Sequence, residues 1–217
     1  MTLLRLAVLA FCAVFLSGCI GIVYEETGLP LVEEDRLLVG FDRLIIDDNA
    51  QVEVTAGRDF SVRVRGPEGY LHRINTRVLG DTLVIDQEDM NLSPEEVLVM
   101  ITMPELHGIE YNAAGDISAY DINSAFFELS VNGMGSMTLE GTCDLLKVRV
   151  DGVGDLDARK FQCQEVDLSF DGVGSAEVYA SHKIEAVVSG IGSVDVYGNP
   201  RYITKDASGI GSFDIHK

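Results

Sequence analysis

The 217 residues carry 16 Lys and Arg against 35 Asp and Glu, a formal charge of −19, and contain no Trp. That excess of carboxylate repels polyanions, and no basic tract interleaved with aromatics offsets it, so nucleic-acid binding is excluded first. The length suits one domain with a sizeable core.

Met1 to Cys19 holds Arg5, an apolar run from Leu6 to Leu16, and then Ser17-Gly18-Cys19, the order of a cleavable export signal. The run is shorter than the roughly 20 residues a membrane-spanning helix needs. Leu16-Ser17-Gly18-Cys19 resembles a bacterial lipobox, which implies a lipoprotein signal peptide at residues 1–18 and lipidation, palmitate included, at Cys19. Ile20, in place of Asp after the cysteine, resembles lipoproteins sorted to the outer membrane. The expected address is the bacterial cell envelope, with the membrane a partner through the lipid anchor. Without residues 1–18 the chain has 199 residues and a charge of 15 − 35 = −20.

Residues 19–40 set Glu25, Glu26, Glu33, Glu34 and Asp35 among Gly28 and Pro30 without sustained periodicity, and read as an acidic tether. Residues 41–105 read as irregular strands: Leu44-Ile45-Ile46, Val52-Glu53-Val54, Phe60 to Val64, Ile74 to Leu79, Leu83-Val84-Ile85 and Val97 to Ile101. Gly57-Arg58-Asp59, Gly66-Pro67-Glu68-Gly69 and Gly80-Asp81 separate them as turns. Residues 88–96 read as a surface loop with a helical turn begun at Ser93-Pro94.

From residue 106 to 217 one phrase recurs six times, with its second glycine at 115, 135, 154, 174, 192 and 211. A period near 19 residues is the mark of a solenoid. Before each phrase come alternating apolar residues, as in Leu146, Val148 and Val150 or Val166, Leu168 and Phe170, and after it two more, as in Leu156 and Ala158. Each copy therefore reads as a strand, a glycine corner and a second strand. Length differences gather after the second strand, at Glu140-Gly141-Thr142 and Arg159 to Gln162. One copy cannot bury its apolar face, but stacked parallel copies can, so the fold class is all-β, a parallel β-helix. The structural turn residues are Gly133 and Gly135, Gly152 and Gly154, Gly172 and Gly174, Gly190 and Gly192, Gly209 and Gly211. They supply positive φ or close backbone approach.

Cys143 and Cys163 each lie eleven residues before a second glycine, a slot filled elsewhere by Ser124, Ser181 and Pro200. Stacked neighbours at about 4.8 Å fall inside the disulfide range, so the pair either bridges two coils or forms a ladder of small buried thiols. An exported location favours the bridge. Asp151 and Asp171 also stack, with Asn132 beside them, and are the candidate metal residues; Ca²⁺ takes clustered oxygens. Interrupted ladders and the missing Gly-Gly-x-Gly-x-Asp pattern favour solvated turns, so no cofactor is expected. His72, His107, His182 and His216 share no metal-pair or base spacing, and the serines after the glycines lack the strand-to-helix turn of a nucleophile elbow. No catalytic residues are assigned. In the last copy Lys205 takes the slot of Leu129, Val148, Leu168 and Ala186, where an inward-leaning charge discourages end-to-end stacking.

The strands at Phe41-Asp42-Arg43-Leu44 and Val52-Glu53-Val54, the strand from Val99 to Pro104 ending in Met-Pro-Glu-Leu, the six phrases, and Tyr197-Gly198-Asn199-Pro200 before Ser208-Gly209-Ile210-Gly211 resemble the bacterial head GIN domain family. The resemblance covers roughly residues 38–217 and implies a right-handed β-helix, an adhesin-like head and no catalytic residues to carry over. The expected function is non-enzymatic: a monomeric, lipid-anchored binding, adhesion or scaffold module for an envelope protein or a glycan. The alternatives are a carbohydrate-active β-helix enzyme and a calcium-binding solenoid module.

Overall fold

Apolar side chains at every second position, with a glycine pair allowing each bend, fold this chain into stacked layers. The structure, a computed structural model, describes residues 28–47, 49–87 and 96–216; Cys19, the export signal and nearly all of the expected 88–96 loop lie outside them. The strands are β1 (Leu31–Arg36), β2 (Arg43–Ile46), β3 (Gln51–Thr55), β4 (Ser61–Pro67), β5 (Ile74–Leu79), β6 (Thr82–Gln87), β7 (Leu98–Thr102) and β8 (Gly108–Tyr111). They continue as β9 (Ile117–Val131), β10 (Met134–Val150), β11 (Val153–Phe170), β12 (Val173–Val188), β13 (Ile191–Tyr197), β14 (Tyr202–Ala207) and β15 (Ile210–Ile215). No α-helix occurs among the described residues; a 3-10 turn stands at Leu71–Arg73.

β9 to β12 are single strands of 15 to 18 residues that bend around the solenoid, each pairing in parallel with the next. One arm of each layer precedes the glycine phrase and one follows it. The third side joins them. Register shifts fall on that third side, between Thr138 and Glu140 and between Ala158 and Gln162, where the sequence placed its length differences.

The N-terminal half, expected as irregular strands, continues the same stack in a different order. β2 and β3 form a layer pairing in parallel with β8 and β9 on one side and with β6 and β7 on the other. Beyond that, β5 runs antiparallel on β6 and β4 antiparallel on β7. β1 then pairs antiparallel with β4, Leu31 opposite Pro67 and Arg36 opposite Val62. The expected tether is therefore corrected: residues 31–36 are an edge strand, because Arg63 draws Glu33 and Asp35 (3.8 and 2.7 Å) while Val32 packs on the core.

The core is one column. Leu129, Val148, Leu168 and Ala186 stack in register and are buried, each large side chain contributing about 1.5–3 kcal/mol. Phe127 and Phe161 meet edge to face at 5.2 Å. Lys205 pairs with Ala186 at the end of the column, and its Nζ lies 5.0 Å over the Phe213 ring. Lys205→Leu is expected to increase self-association; a sedimentation profile identical to the parent would count against that role.

Candidate binding face

The glycine phrases are structural, and the geometry says why. Gly174 has φ of 142°, and a Cβ there would stand 1.9 Å from the carbonyl oxygen of Gly154. Gly172, with an ordinary φ, would meet Gly152 oxygen at 2.3 Å. One glycine of each pair answers to conformation and spacing, the other to spacing alone. The residues between them, Met134, Val153, Val173, Ile191 and Ile210, form a ladder on the outside, 47–74% exposed.

Cys143 and Cys163 are joined by a disulfide across neighbouring layers, with Cα atoms 4.4 Å apart. In the next layer Ala180, not Ser181, pairs with Cys163, because the corner there is shorter. Ser181 turns its hydroxyl to the Cys163 carbonyl at 3.3 Å instead.

The arm after the glycines presents three outward columns. Ser136, Asp155, Ser175, Ser193 and Ser212 stand in register next to the corner. Asp157, Glu177, Asp195 and Asp214 form the second column. Arg159, Tyr179, Tyr197 and His216 edge the face, with Tyr179 and Tyr197 paired and the His216 ring stacked on Tyr197 at 4.7 Å.

Like charges one layer apart repel, and the face neutralises them locally. Arg159 donates from Nε and Nη2 to Asp157 (3.0 and 2.6 Å), and its Nε also lies 2.7 Å from Glu177 Oε2. His216 Nε2 lies 2.6 Å from Asp195 Oδ1. The hydrogen bonds from Arg159 hold the Asp157 carboxyl below its ordinary value against the opposing effect of partial burial. A depressed carboxylate stabilises the fold above its unfolded pKa, and that contribution is lost as pH falls through the folded value. Urea midpoints measured between about pH 2 and 6 should therefore fall more steeply with acid for the parent than for Arg159→Ala. Parallel profiles would refute the coupling.

Asp151 and Asp171 do not gather further ligands. Asp171 accepts a hydrogen bond from the Ser189 hydroxyl, and no group of three or more His, Cys, Asp or Glu converges among the described residues. Asp116 and Asp155 each accept a backbone N–H from the next layer, Ser136 at 2.9 Å and Ser175 at 3.0 Å. These carboxylates tie turns together.

Sequence spacing missed one constellation. His107 Nδ1 lies 2.8 Å from Ser124 Oγ, and its Nε2 lies 3.2 Å from Glu105 Oε2. The order resembles a serine–histidine–carboxylate relay, but Ser124 is 6% exposed and its hydroxyl donates to the Phe126 carbonyl at 2.7 Å. A buried hydroxyl already committed to a carbonyl is a poor nucleophile. Only the layer pairing brings residues 107 and 124 together, so no local motif could have flagged them.

The family model described as "Putative auto-transporter adhesin, head GIN domain" matches residues 40–200. Among solved structures, a "putative adhesin" from Bacteroides fragilis is similar at 20% identity and a TM-score of 0.68, over 86% of this chain and 97% of that one. One from Parabacteroides distasonis has 15% identity and a TM-score of 0.50, over 88% and 99%. A "putative lipid binding protein" from the same organism has 17% identity and a TM-score of 0.48, over 88% and 98%. At such identities the likeness speaks for the fold alone. No curated protein sequence matches the chain significantly. The family model spans well over half of the 217 residues, and the chain belongs to the head GIN domain family.

Proposed function

We propose that this protein is a lipid-anchored, non-enzymatic adhesion module of the cell envelope that binds an extended glycan or envelope protein along the arm after its glycine corners. The observation that carries the reading is the register of that arm: Asp157, Glu177, Asp195 and Asp214 repeat layer by layer beside Arg159, Tyr179 and Tyr197. A face repeating at about 4.8 Å suits a ligand that also repeats, and Tyr and Arg are the side chains that most often anchor interfaces. The family description supports adhesion. The attachment would be a lipid on Cys19, the cysteine of the lipobox-like Leu16-Ser17-Gly18-Cys19.

The test is a glycan and envelope-fraction binding assay with the parent and Tyr179→Ala/Tyr197→Ala. Binding that the double variant loses supports the reading. Cleavage of the glycan, seen as new reducing ends or unsaturated products, would overturn it in favour of an enzyme, and binding unaffected by the variant would move the ligand to another face.

A further inference from the structure

We propose that the β1 end of the solenoid rests on the bilayer holding the Cys19 lipid, so that the rod stands on this end; the inference rests on reading Cys19 as the anchor. β1 is the outermost strand of its arm, and exposed apolar side chains crowd the chain around it. Leu29 and Leu31 are 43% exposed, Val39 66% and Leu37 fully. The segment is held in place: Val32 and Leu38 pack on the core, Leu38 N–H donates to the Arg36 carbonyl at 2.9 Å, and Glu68 N–H donates to the Pro30 carbonyl at 2.8 Å. These outward apolar groups are therefore fixed features of the surface.

Chain length brings that surface to the membrane. Nine Cα-to-Cα steps, through eight intervening residues, separate Cys19 from Gly28. They span at most about 30 Å, and about 17 Å as a flexible coil. Tethering at this range gives a high effective concentration, so a weak apolar contact suffices.

Charge sets the orientation. The outward acidic column of Asp157, Glu177, Asp195 and Asp214 lies in β11 to β15, at the far end of the strand order from β1. Lying on its flank, the rod would press the acidic columns against phosphate headgroups. Standing on the β1 end keeps them away. The carboxylates of β1 are matched by cations, Glu33 and Asp35 by Arg63 and Glu34 by Arg36 at 3.1 Å. Nine further strands at about 4.8 Å each then carry the last layer of the binding arm roughly 43 Å outward.

The experiment uses the full-length lipidated protein in vesicles of phosphatidylethanolamine and phosphatidylglycerol with a headgroup quencher. A fluorophore is placed at Glu68→Cys, beside Pro30, or at Asp214→Cys, in the last layer. Quenching at 68 is expected to exceed that at 214 severalfold. Leu37→Ser/Val39→Ser should lower quenching at 68 sharply while the vesicle-bound fraction stays constant, because the lipid still holds the protein. Equal quenching at both sites, or an unchanged signal at 68 in the double variant, overturns the docking while leaving the anchor intact. An N-terminal peptide without lipid on Cys19 overturns the anchoring reading and this inference with it.

Discussion

Gly174→Ala is expected to abolish the folded state or remove most of its stability, although it adds a single methyl group. At φ of 142° an L side chain is strained by about 1–3 kcal/mol. The larger effect is steric: the new Cβ would stand 1.9 Å from Gly154 oxygen and 2.8 Å from Gly154 carbon, both backbone atoms of the neighbouring layer. Relieving that contact means parting β11 from β12 and breaking ladder hydrogen bonds along the corner. A loss beyond about 4 kcal/mol is expected, against the 5–15 kcal/mol that domains typically have. Val173→Ser, one residue away at a side chain 47% exposed, should cost under about 1 kcal/mol. Urea unfolding of the two variants side by side decides it, and similar midpoints would show that the layers part more easily than the geometry implies.

Removal of the inter-layer bridge should have the second largest effect. The two cysteines are 20 residues apart, so opening the bridge frees a loop of one full coil. Chain entropy assigns such a loop about 3 kcal/mol. Cys143→Ala/Cys163→Ala is the appropriate variant, since Ala180 already fills the same slot in the next layer. Its unfolding midpoint should match that of the parent under reducing conditions. A loss below about 1 kcal/mol, or a reductant effect that persists in the variant, would contradict the entropic account.

The regular half of the fold was legible because a solenoid writes its geometry into its period. Alternation at Leu146, Val148 and Val150 fixes which face is buried, and recurrence near 19 residues fixes what stacks on what. The same register placed Cys143 beside Cys163. It failed at Ser181, because the register of β11 and β12 slips between Ala158 and Gln162 and again between Cys163 and Glu165, which brings Ala180 into line with Cys163. It could not find β1 as a strand, since the reason for its pairing, Arg63, lies 28 residues from Asp35. Nor could it reveal that β2 and β3 lie between β6–β7 and β8–β9, because three local alternations look alike in any stacking order.

The candidate site divides in the same way. The outward columns are in the sequence, at fixed offsets from the glycines. Whether a carboxylate in them is free or spent is not. Asp155 and Asp171 look equivalent to any open acidic residue until Ser175 and Ser189 of the next layer are seen to occupy them. By itself the sequence determined the period, the buried face and the need for glycine at each corner, because these follow from local alternation and the absence of a side chain. Only the tertiary structure decided the order of the N-terminal layers, the pairing of β1 and the hydrogen-bonding state of each surface carboxylate. Those depend on contacts between residues that no local pattern connects.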